Sequence, residues 1–247
     1  MLPTPCTAHV DLARIYEPAE DSYLLLDTVS STSERAFLHA RFGSASPGQA
    51  VTPLVVEIGS GSGVIISFVH AHCATILGRC DVLTAGIDVN FFACQATVKT
   101  VAVAQAQNTT KASFMGSIQA DLASSFRGNE MDVLIFNPPY VPTPYLPKIE
   151  HKSFDEVSFQ NDSHLLSLSY AGGVDGMEII ERFLDCLPDM LNSVRGCAYL
   201  LLCAQNKPDQ IKSRIRKWGN DWLAETVGES GKTAGWEKLQ IIRIWRT

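Results

Sequence analysis

The sequence is poor in charge, and the charge that it has is slightly acidic. Charged residues make up 19% of the 247 residues, against the roughly 25% typical of soluble domains, while hydrophobic residues make up 46%. Lys and Arg number 20 and Asp and Glu number 26, so the net charge is −6. Proteins that bind duplex DNA neutralise phosphates with clustered Lys and Arg, which this chain lacks. The composition therefore argues against that class and indicates a surface that a partner covers.

Signals for disulfides, metal sites, membrane spans and secretion are also missing. The seven cysteines are an odd number without a CxxC pair, so we expect reduced core thiols and no zinc site. The longest uncharged stretch, residues 58–78, opens with three glycines and is not a spanning helix. Its two histidines, His70 and His72, lie on different helix faces and do not form a metal pair. Residues 1–11 lack the pattern of a leader, so we expect a cytoplasmic protein, with the nucleus as the alternative.

Apolar, β-branched runs alternate with segments of helical length, which predicts an α/β domain. Such alternation is typical of a doubly wound, mostly parallel sheet with helices on both faces. We expect a single domain over residues 1–247, with an N-terminal extension over residues 1–50, and a long polar loop over residues 141–170. The predicted strands are residues 54–58, 81–88, 113–118, 131–136, 197–203 and 239–245, and the predicted helices are residues 64–77, 91–107, 174–192 (up to the region of Pro188) and 211–218.

The first motif is a glycine loop directly after the strand at residues 54–58. Gly59, Gly61 and Gly63 let the backbone turn sharply and approach a ligand, and the free N–H groups of the next helix suit a polar ligand. The spacing is GxGxG, so it does not match the NAD fingerprint, and alone it is as compatible with a loop that binds nothing. Asp88 ends the next strand, where it could accept both ribose hydroxyls of a nucleoside or form an Asx turn. Together the two features favour a nucleoside cofactor.

The second motif is Asn137-Pro138-Pro139-Tyr140, directly after the strand that ends at Phe136. Each proline restricts the residue before it to extended conformations, so the loop is stiff. Neither proline has an N–H, and the loop therefore presents acceptors, the side-chain oxygen of Asn137 and the carbonyl of Pro138, with the Tyr140 ring available for stacking. We interpret this corner as a receptor for a planar NH2 group, although a Pro-Pro pair alone more often marks a simple turn. Both motifs follow strand ends, where ligands bind in open α/β sheets.

Two further groups of polar residues have structural interpretations. Asp175 and Glu178 stand three apart at a helix start and match a capping box, which we favour over direct catalysis. Residues 16–22 carry a tyrosine and three acidic side chains, which could cap the helix that follows.

Taken together, the motifs resemble those of the HemK-type class I methyltransferases. The matching segments are YEPAEDS (residues 16–22), EIGSGSG (57–63), Asp88, Asp121-Leu122, NPPY (137–140) and AGGVDGME (171–178), and they span nearly the whole chain. Their order, and YEPAEDS in particular, resemble the eukaryotic branch that methylates the glutamine of the GGQ motif in the translation termination factor. NPPY alone is shared with methyltransferases that act on the amino group of adenine.

The resemblance implies a seven-stranded, mostly parallel Rossmann-like sheet and S-adenosylmethionine as the cofactor. Gly59 and Glu57 would lie at its methionine part and Asp88 at its ribose, while Asp121 and Leu122 would frame the adenine. The implied cofactor-binding residues are Ser22, Glu57, Gly59, Gly61, Asp88, Asp121, Leu122 and Asn137.

The same resemblance assigns catalysis to Asn137, Pro138 and Tyr140, of which the first two would hold the target amide. No metal is expected. Three functions stay open at this point. The first is methylation of the release-factor glutamine, with protein lysine as a further substrate. The second is methylation of the adenine amino group in DNA or RNA, which the charge of −6 disfavours. The third is a scaffold that binds S-adenosylmethionine without activity, which the two intact motifs disfavour.

A partner is expected at one edge of the sheet. The helix at residues 91–107 has a single charged residue, Lys99, and no polar face, which is typical of a covered helix. The strand at residues 113–118 would be an edge strand in the class I order, and exposed edges invite strand addition. Eukaryotic members of the family work with a small zinc-binding activator subunit, so the resemblance implies a heterodimer through this edge.

Overall fold

The computed structural model describes residues 2–44, 51–148, 159–231 and 238–247, and one seven-stranded sheet runs through them. Its strand order is β3-β2-β1-β4-β5-β7-β6. The first five strands of this order are parallel to one another, and β7 runs antiparallel to its neighbours β5 and β6. This arrangement confirms the class I methyltransferase fold. The strands are β1 (Leu54–Ile58), β2 (Leu83–Asp88), β3 (Ser113–Gln119), β4 (Val133–Phe136), β5 (Cys197–Cys203), β6 (Trp222–Glu229) and β7 (Leu239–Arg246).

Helices cover both faces of the sheet and create two apolar cores. Because β5 is buried on both faces, its residues alternate between the two cores, which explains its continuous apolar sequence CAYLLLC. Helices α1 and α2, within the predicted N-terminal extension, contribute to the first core, and α7 contributes to the second. The helices are α1 (Glu20–Val29), α2 (Thr32–Phe42), α3 (Val64–Ala71), α4 (Cys73–Leu77), α5 (Phe91–Gln107), α6 (Phe159–Tyr170), α7 (Glu178–Met190) and α8 (Pro208–Ile215).

Several sequence expectations differ from the structure. The predicted helix at residues 64–77 is broken at His72 into α3 and α4. The helix expected from residue 174 begins at Glu178, after a short 3-10 turn, and it continues two residues past Pro188. Four apolar side chains spaced from Ile180 to Leu187 are fully buried. Each contributes roughly 1.5–3 kcal/mol, which together outweighs the ~3 kcal/mol that an interior proline costs.

The predicted loop over residues 141–170 is wrong in its last part, because residues 159–170 form α6. Residues 149–158 of that loop lie outside the described residues. We expected a helix after residues 16–22, and α1 begins within that segment at Glu20, whereas α2 and β6 were missed. Among the described residues, no helix is long and apolar enough to cross a membrane, and no group of three His, Cys, Asp or Glu side chains could hold a metal ion. All seven cysteines are free, but the expectation of core thiols holds for four of them, because three are exposed: Cys6, Cys80 and Cys186.

Candidate functional site

A cavity of about 360 Å³ lies at the carboxyl ends of β1, β2 and β4. Its size falls in the roughly 300–1,000 Å³ range of small-molecule sites. It also lies where the chain order of the strands reverses between β1 and β4, the usual ligand position in such sheets. The structure brings together in its wall every residue that the sequence nominated: Ser22, Glu57, Gly59, Gly61, Asp88, Asp121, Leu122, Asn137, Pro138 and Tyr140.

The glycine loop connects β1 to α3 and forms the floor of the cavity. All three glycines have a positive φ, and the φ of Gly63, at the start of α3, is 76°. A Cβ on Gly63 would lie 2.6 Å from the Cα of Thr97 in α5. Only glycine therefore allows the loop to turn into α3 while it packs against α5.

Glu57 links the floor of the cavity to α3. Its Oε2 accepts a hydrogen bond from the backbone N–H of Ile66 at 2.8 Å, in the first turn of α3, where N–H groups lack helical partners. Only 2% of the residue is exposed, and this burial raises the pKa of the Glu57 carboxyl well above its usual value. Glu57 thus supports the helix start as well as lining the cavity.

Asp88 ends β2 and connects two backbone segments. Its Oδ1 accepts the N–H of Asn90 at 2.8 Å, which is the Asx turn that the sequence allowed, and its Oδ2 accepts the N–H of Gly61 at 2.8 Å. Burial raises the pKa of Asp88 to about 6, against the effect of these N–H donors. A desolvated carboxylate in a cavity wall is a strong acceptor for a ligand that brings hydroxyl groups.

Asp121 is paired with a residue that sequence reasoning missed. Its Oδ2 accepts from Arg182 of α7 at 2.5 Å, and both side chains are nearly half exposed. Leu122 follows with a φ of 49° and only 9% exposure, so its side chain is turned into the wall of the cavity. Nothing in the sequence marks Arg182 as a neighbour of Asp121, because the two are 61 residues apart.

Asn137 has one half of its amide group bonded and the other half unpaired. Its Nδ2 donates to Oδ2 of Asp21 at 3.0 Å, whereas its Oδ1 is buried and accepts no hydrogen bond from any described residue. Asp21 comes from the YEPAEDS segment and is 4% exposed. Pro138 is buried next to Asn137. Asn137 thus lines the cavity and carries a buried acceptor that no described residue satisfies.

The AGGVDGME segment packs against the end of the NPPY loop and the residues that follow it. The N–H of Gly172 donates to the carbonyl of Val141 at 2.8 Å, and the N–H of Thr143 donates to the carbonyl of Gly173 at 2.9 Å. A Cβ on Gly176, whose φ is 69°, would lie 2.0 Å from the carbonyl oxygen of Tyr140. We call residues 171–178 the brace, because these contacts hold the NPPY loop in place.

The predicted capping box between Asp175 and Glu178 is wrong. Asp175 has a φ of 54°, and no side chain caps α7 at Met177. The Glu178 carboxylate instead accepts the N–H of Val174 at 2.8 Å, because the left-handed turn brings that group back over the start of α7. Glu178 therefore stabilises the brace and does not cap α7 in the way predicted.

Helix α6 and the N-terminal segment close the other side of the cavity. Leu165 and Leu168 of α6 line it, and so does Arg14. The Nε of Arg14 pairs with Oδ1 of Asp162 at 2.8 Å, and its guanidinium lies 4.4 Å from the centroid of the Phe92 ring. No sequence signal marked this wall, since the α6 segment is polar and was expected to be a loop.

We expect Gly176→Ala to reduce turnover at least about tenfold, since a misplacement of about 1 Å at a reacting group can cost about 10²-fold. The new Cβ must push the Tyr140 carbonyl, and with it the NPPY loop, out of position. Steady-state kinetics together with thermal unfolding check this result.

Gly78→Ala is the matched control, because Gly78 has nearly the same φ, 72°, but a Cβ there would meet only the ring of the exposed His39 at 3.0 Å. Gly78→Ala carries the cost of the positive φ without a backbone clash, so Gly176→Ala should lose more stability, and only Gly176→Ala should lose activity. Equal turnover in the two variants would contradict the role of the brace.

Comparison with known proteins finds relatives that match along nearly the whole chain, while no family model matches it. "eRF1 methyltransferase catalytic subunit mtq2" of Schizosaccharomyces pombe is 32% identical over 251 residues, which cover 100% of this chain and 96% of the relative. "Methyltransferase HEMK2" of Homo sapiens is 30% identical over 253 residues, with 99% and 97% covered. "Putative protein N5-glutamine methyltransferase MJ0928" of Methanocaldococcus jannaschii is 28% identical over 232 residues, with 94% and 92% covered.

Solved structures share the fold at low sequence identity. "Crystal structure of hMettl16 catalytic domain in complex with MAT2A 3'UTR hairpin 6" has a TM-score of 0.55 and 15% identity, and the match covers 96% of this chain and 74% of that one. The corresponding complex with hairpin 1 has a TM-score of 0.53 and 14% identity, with 96% and 73% covered. These likenesses support the fold alone. The full-length identity to the relatives confirms the resemblance inferred from the motifs, and the chain belongs to the family of methyltransferases that includes the eRF1 methyltransferase catalytic subunit mtq2 and HEMK2.

Proposed function

We propose that this methyltransferase transfers the methyl group of S-adenosylmethionine to the side-chain amide nitrogen of the GGQ glutamine in the eukaryotic translation termination factor. The names of two relatives, an eRF1 methyltransferase and a putative protein N5-glutamine methyltransferase, support this substrate. The observation that carries the proposal is the buried and unpaired Oδ1 of Asn137, a residue that lines the cavity beside the donor-free prolines.

The donor and acceptor groups of the cavity fit S-adenosylmethionine. The buried carboxylate of Asp88 would accept the ribose hydroxyls, and Asp121 with Leu122 would frame the adenine. Glu57 and the glycine loop would hold the methionine part, with Ser22 at the start of α1 nearby. When bound, the cofactor supplies a methyl group on a positively charged sulfur.

The NPPY corner compensates for the weakness of an amide as a nucleophile. The lone pair of an amide nitrogen is delocalised into its carbonyl, so positioning must supply much of the rate. Oδ1 of Asn137 and the carbonyl of Pro138 would accept the two N–H bonds, which fixes the nitrogen in line with the methyl group and favours loss of a proton. Such positioning can supply about 7–11 kcal/mol at best. The leaving thioether needs no proton, so the site needs no general acid.

The same corner would accept the amino group of adenine, because that group is also planar and carries two N–H bonds. The net charge of −6 disfavours a polyanionic substrate. A lysine side chain offers N–H donors as well, but its nitrogen is not planar. Glutamine in a protein is therefore the substrate that the charge and the geometry favour together.

A labelling experiment separates these substrates. The protein and its activator subunit are incubated with methyl-labelled S-adenosylmethionine and, in separate reactions, with the termination factor, the same factor with its GGQ glutamine changed to alanine, an oligonucleotide and histone. We expect label in the unaltered termination factor and none in the altered one. Label in the oligonucleotide but not in the factor would overturn the proposal in favour of adenine, and label in histone alone would favour lysine.

We further propose that the small zinc-binding activator subunit adds to the edge of the sheet at β3. This strand pairs with β2 alone among the described strands, and its Met115 and Ile118 are 59% and 39% exposed. Val98 of the adjacent α5 is 46% exposed. An apolar and unpaired edge of this kind favours a partner that brings its own strand.

Met115→Arg is expected to weaken binding of the activator subunit at least about tenfold, because it places a charge in an apolar interface, where desolvation is costly. Isothermal titration of the activator into the variant measures the effect. Val194→Arg, at an 83% exposed position between α7 and β5, is the control and should bind normally. Unchanged affinity in Met115→Arg would place the partner elsewhere.

A further inference from the structure

We infer that Asp21 is a positioning residue for methyl transfer, because it holds the amide of Asn137 in the orientation that leaves its oxygen to the substrate. The inference rests on the proposed function and deepens it. Asp21 is at the start of α1 and Asn137 follows β4, 116 residues later, yet Nδ2 of Asn137 lies 3.0 Å from Oδ2 of Asp21. Both residues line the cavity.

The carboxylate of Asp21 has donors on both oxygens. Oδ1 accepts from the backbone N–H of Ser22 at 2.6 Å and from the Ser22 hydroxyl at 3.2 Å. Oδ2 accepts from Asn137. With 4% exposure, the group has little access to water, so these donors fix its position.

This arrangement decides which way the Asn137 amide points. The amide has two orientations, which exchange its oxygen and its NH2 group. An ionised carboxylate only accepts hydrogen bonds, so Asp21 favours the orientation with NH2 toward itself. The flipped orientation would place oxygen against oxygen and would present NH2 to a substrate NH2. Asp21 thus ensures that the corner offers an acceptor, which agrees with the unpaired Oδ1 of Asn137.

The substitution Asp21→Asn tests this role at nearly constant shape. An asparagine at position 21 has only one oxygen, which the N–H of Ser22 and the NH2 of Asn137 both require. Since the Ser22 N–H is held in the backbone of α1, the oxygen stays there and the new NH2 group faces Asn137. Asn137 then turns its own oxygen toward position 21, and the substrate loses its acceptor.

The exchanged pair, Asp21→Asn with Asn137→Asp, should reverse this loss. The new NH2 group at position 21 donates to one oxygen of the carboxylate at position 137, and the other oxygen is again an acceptor for the substrate. The pair keeps one negative charge, as in the wild-type protein. If Asp21 served only the stability of the fold, a second change in the NPPY motif would lower activity further.

The experiment measures kcat on the termination factor, and the Kd for S-adenosylhomocysteine, for the wild type, Asp21→Asn, the exchanged pair and Asp27→Asn, each together with the activator subunit. Asp27 is exposed on the same helix and serves as the matched control. We expect kcat to fall at least tenfold in Asp21→Asn and to recover at least fivefold from that level in the exchanged pair. Asp27→Asn should equal the wild type, and Kd should stay within threefold throughout.

Four results would overturn the inference. A wild-type kcat in Asp21→Asn, or an exchanged pair no more active than Asp21→Asn, would show that Asp21 does not orient Asn137. A rise in Kd that matches the loss of kcat would place Asp21 in cofactor binding instead. Absence of transfer by the wild-type protein would overturn the proposed function and this inference with it, so the two failures are distinguishable.

Discussion

Asn137→Ala is expected to lower kcat on the termination factor by about 10²- to 10³-fold, while the affinity for S-adenosylmethionine changes by less than about threefold. Removal of a single group that polarises the reacting atoms costs about this much in other enzymes. The alanine removes the unpaired Oδ1, which the proposed mechanism assigns to the amide N–H of the substrate. Cofactor binding survives because Asp88, Glu57 and the glycine loop are unchanged.

The variant also leaves the buried carboxylate of Asp21 without its partner, which costs about 1–3 kcal/mol of stability. Kinetics are therefore compared well below the unfolding temperature, with isothermal titration of the cofactor as the measure of an intact site. Asn220→Ala, in the exposed turn before β6, is the control and should be fully active. Turnover near the wild-type level in Asn137→Ala would remove the NPPY corner from the mechanism.

Asp88→Ala is expected to weaken S-adenosylmethionine binding by about 10²-fold or more. Two hydrogen bonds from ribose hydroxyls to a charged acceptor contribute roughly 1.5–3 kcal/mol each, and 1.4 kcal/mol corresponds to a factor of ten. The change also removes the link between the glycine loop and β2, since Gly61 loses its acceptor. Isothermal titration measures the affinity, and Asp81→Ala, an exposed carboxylate just before β2, is the control. An unchanged Kd in Asp88→Ala would place the ribose elsewhere.

The raised pKa of Asp88 gives this binding a characteristic pH dependence. Below pH about 6 the Asp88 carboxyl of the free protein is protonated. It must lose this proton before it can accept hydrogen bonds from both ribose hydroxyls, which costs binding free energy. The affinity should therefore fall as the pH drops through about 6 and be flat above it. Asp88→Asn should remove this dependence.

The effect on the stability of the free protein has the opposite sign. The folded pKa of about 6 lies above the ordinary value, so the folded chain binds an extra proton in this range, and the associated stability is lost as the pH rises through 6. Because the cofactor binds more tightly above pH 6, it should raise the unfolding temperature more at pH 7.5 than at pH 5. An equal increase at both pH values would contradict the role of Asp88.

The sequence predicted those parts of the fold in which local pattern and burial agree. The bounds of β1, α5 and β5 are the same as predicted, because apolar runs or a long segment without Gly and Pro define them. The helix α6 was missed because its sequence is polar and follows a proline-rich stretch, and β6 was missed because only two of its eight residues are fully buried. In both cases tertiary packing, and not local propensity, decides the conformation.

The sequence predicted which residues belong to the site but not the hydrogen bonds and ion pairs that connect them. Motifs after strands place Asp88 and Asn137 at one edge of the sheet, and in the structure both residues line one cavity. The contacts that hold them come from distant segments, with Asp21 on Asn137 and Arg182 on Asp121. No local signal encodes such pairs. The assignment of Asp175 and Glu178 to a capping box failed because glycines with positive φ redirect the chain at that point.

The most direct test is a crystal structure of the protein with S-adenosylhomocysteine and a peptide that contains the GGQ sequence. We expect the glutamine nitrogen within about 3 Å of both Oδ1 of Asn137 and the carbonyl oxygen of Pro138, with the sulfur of the cofactor product on the opposite side of that nitrogen. A glutamine bound outside the cavity, or one whose nitrogen lies beyond hydrogen-bond reach of Asn137 and Pro138, would contradict the proposed mechanism.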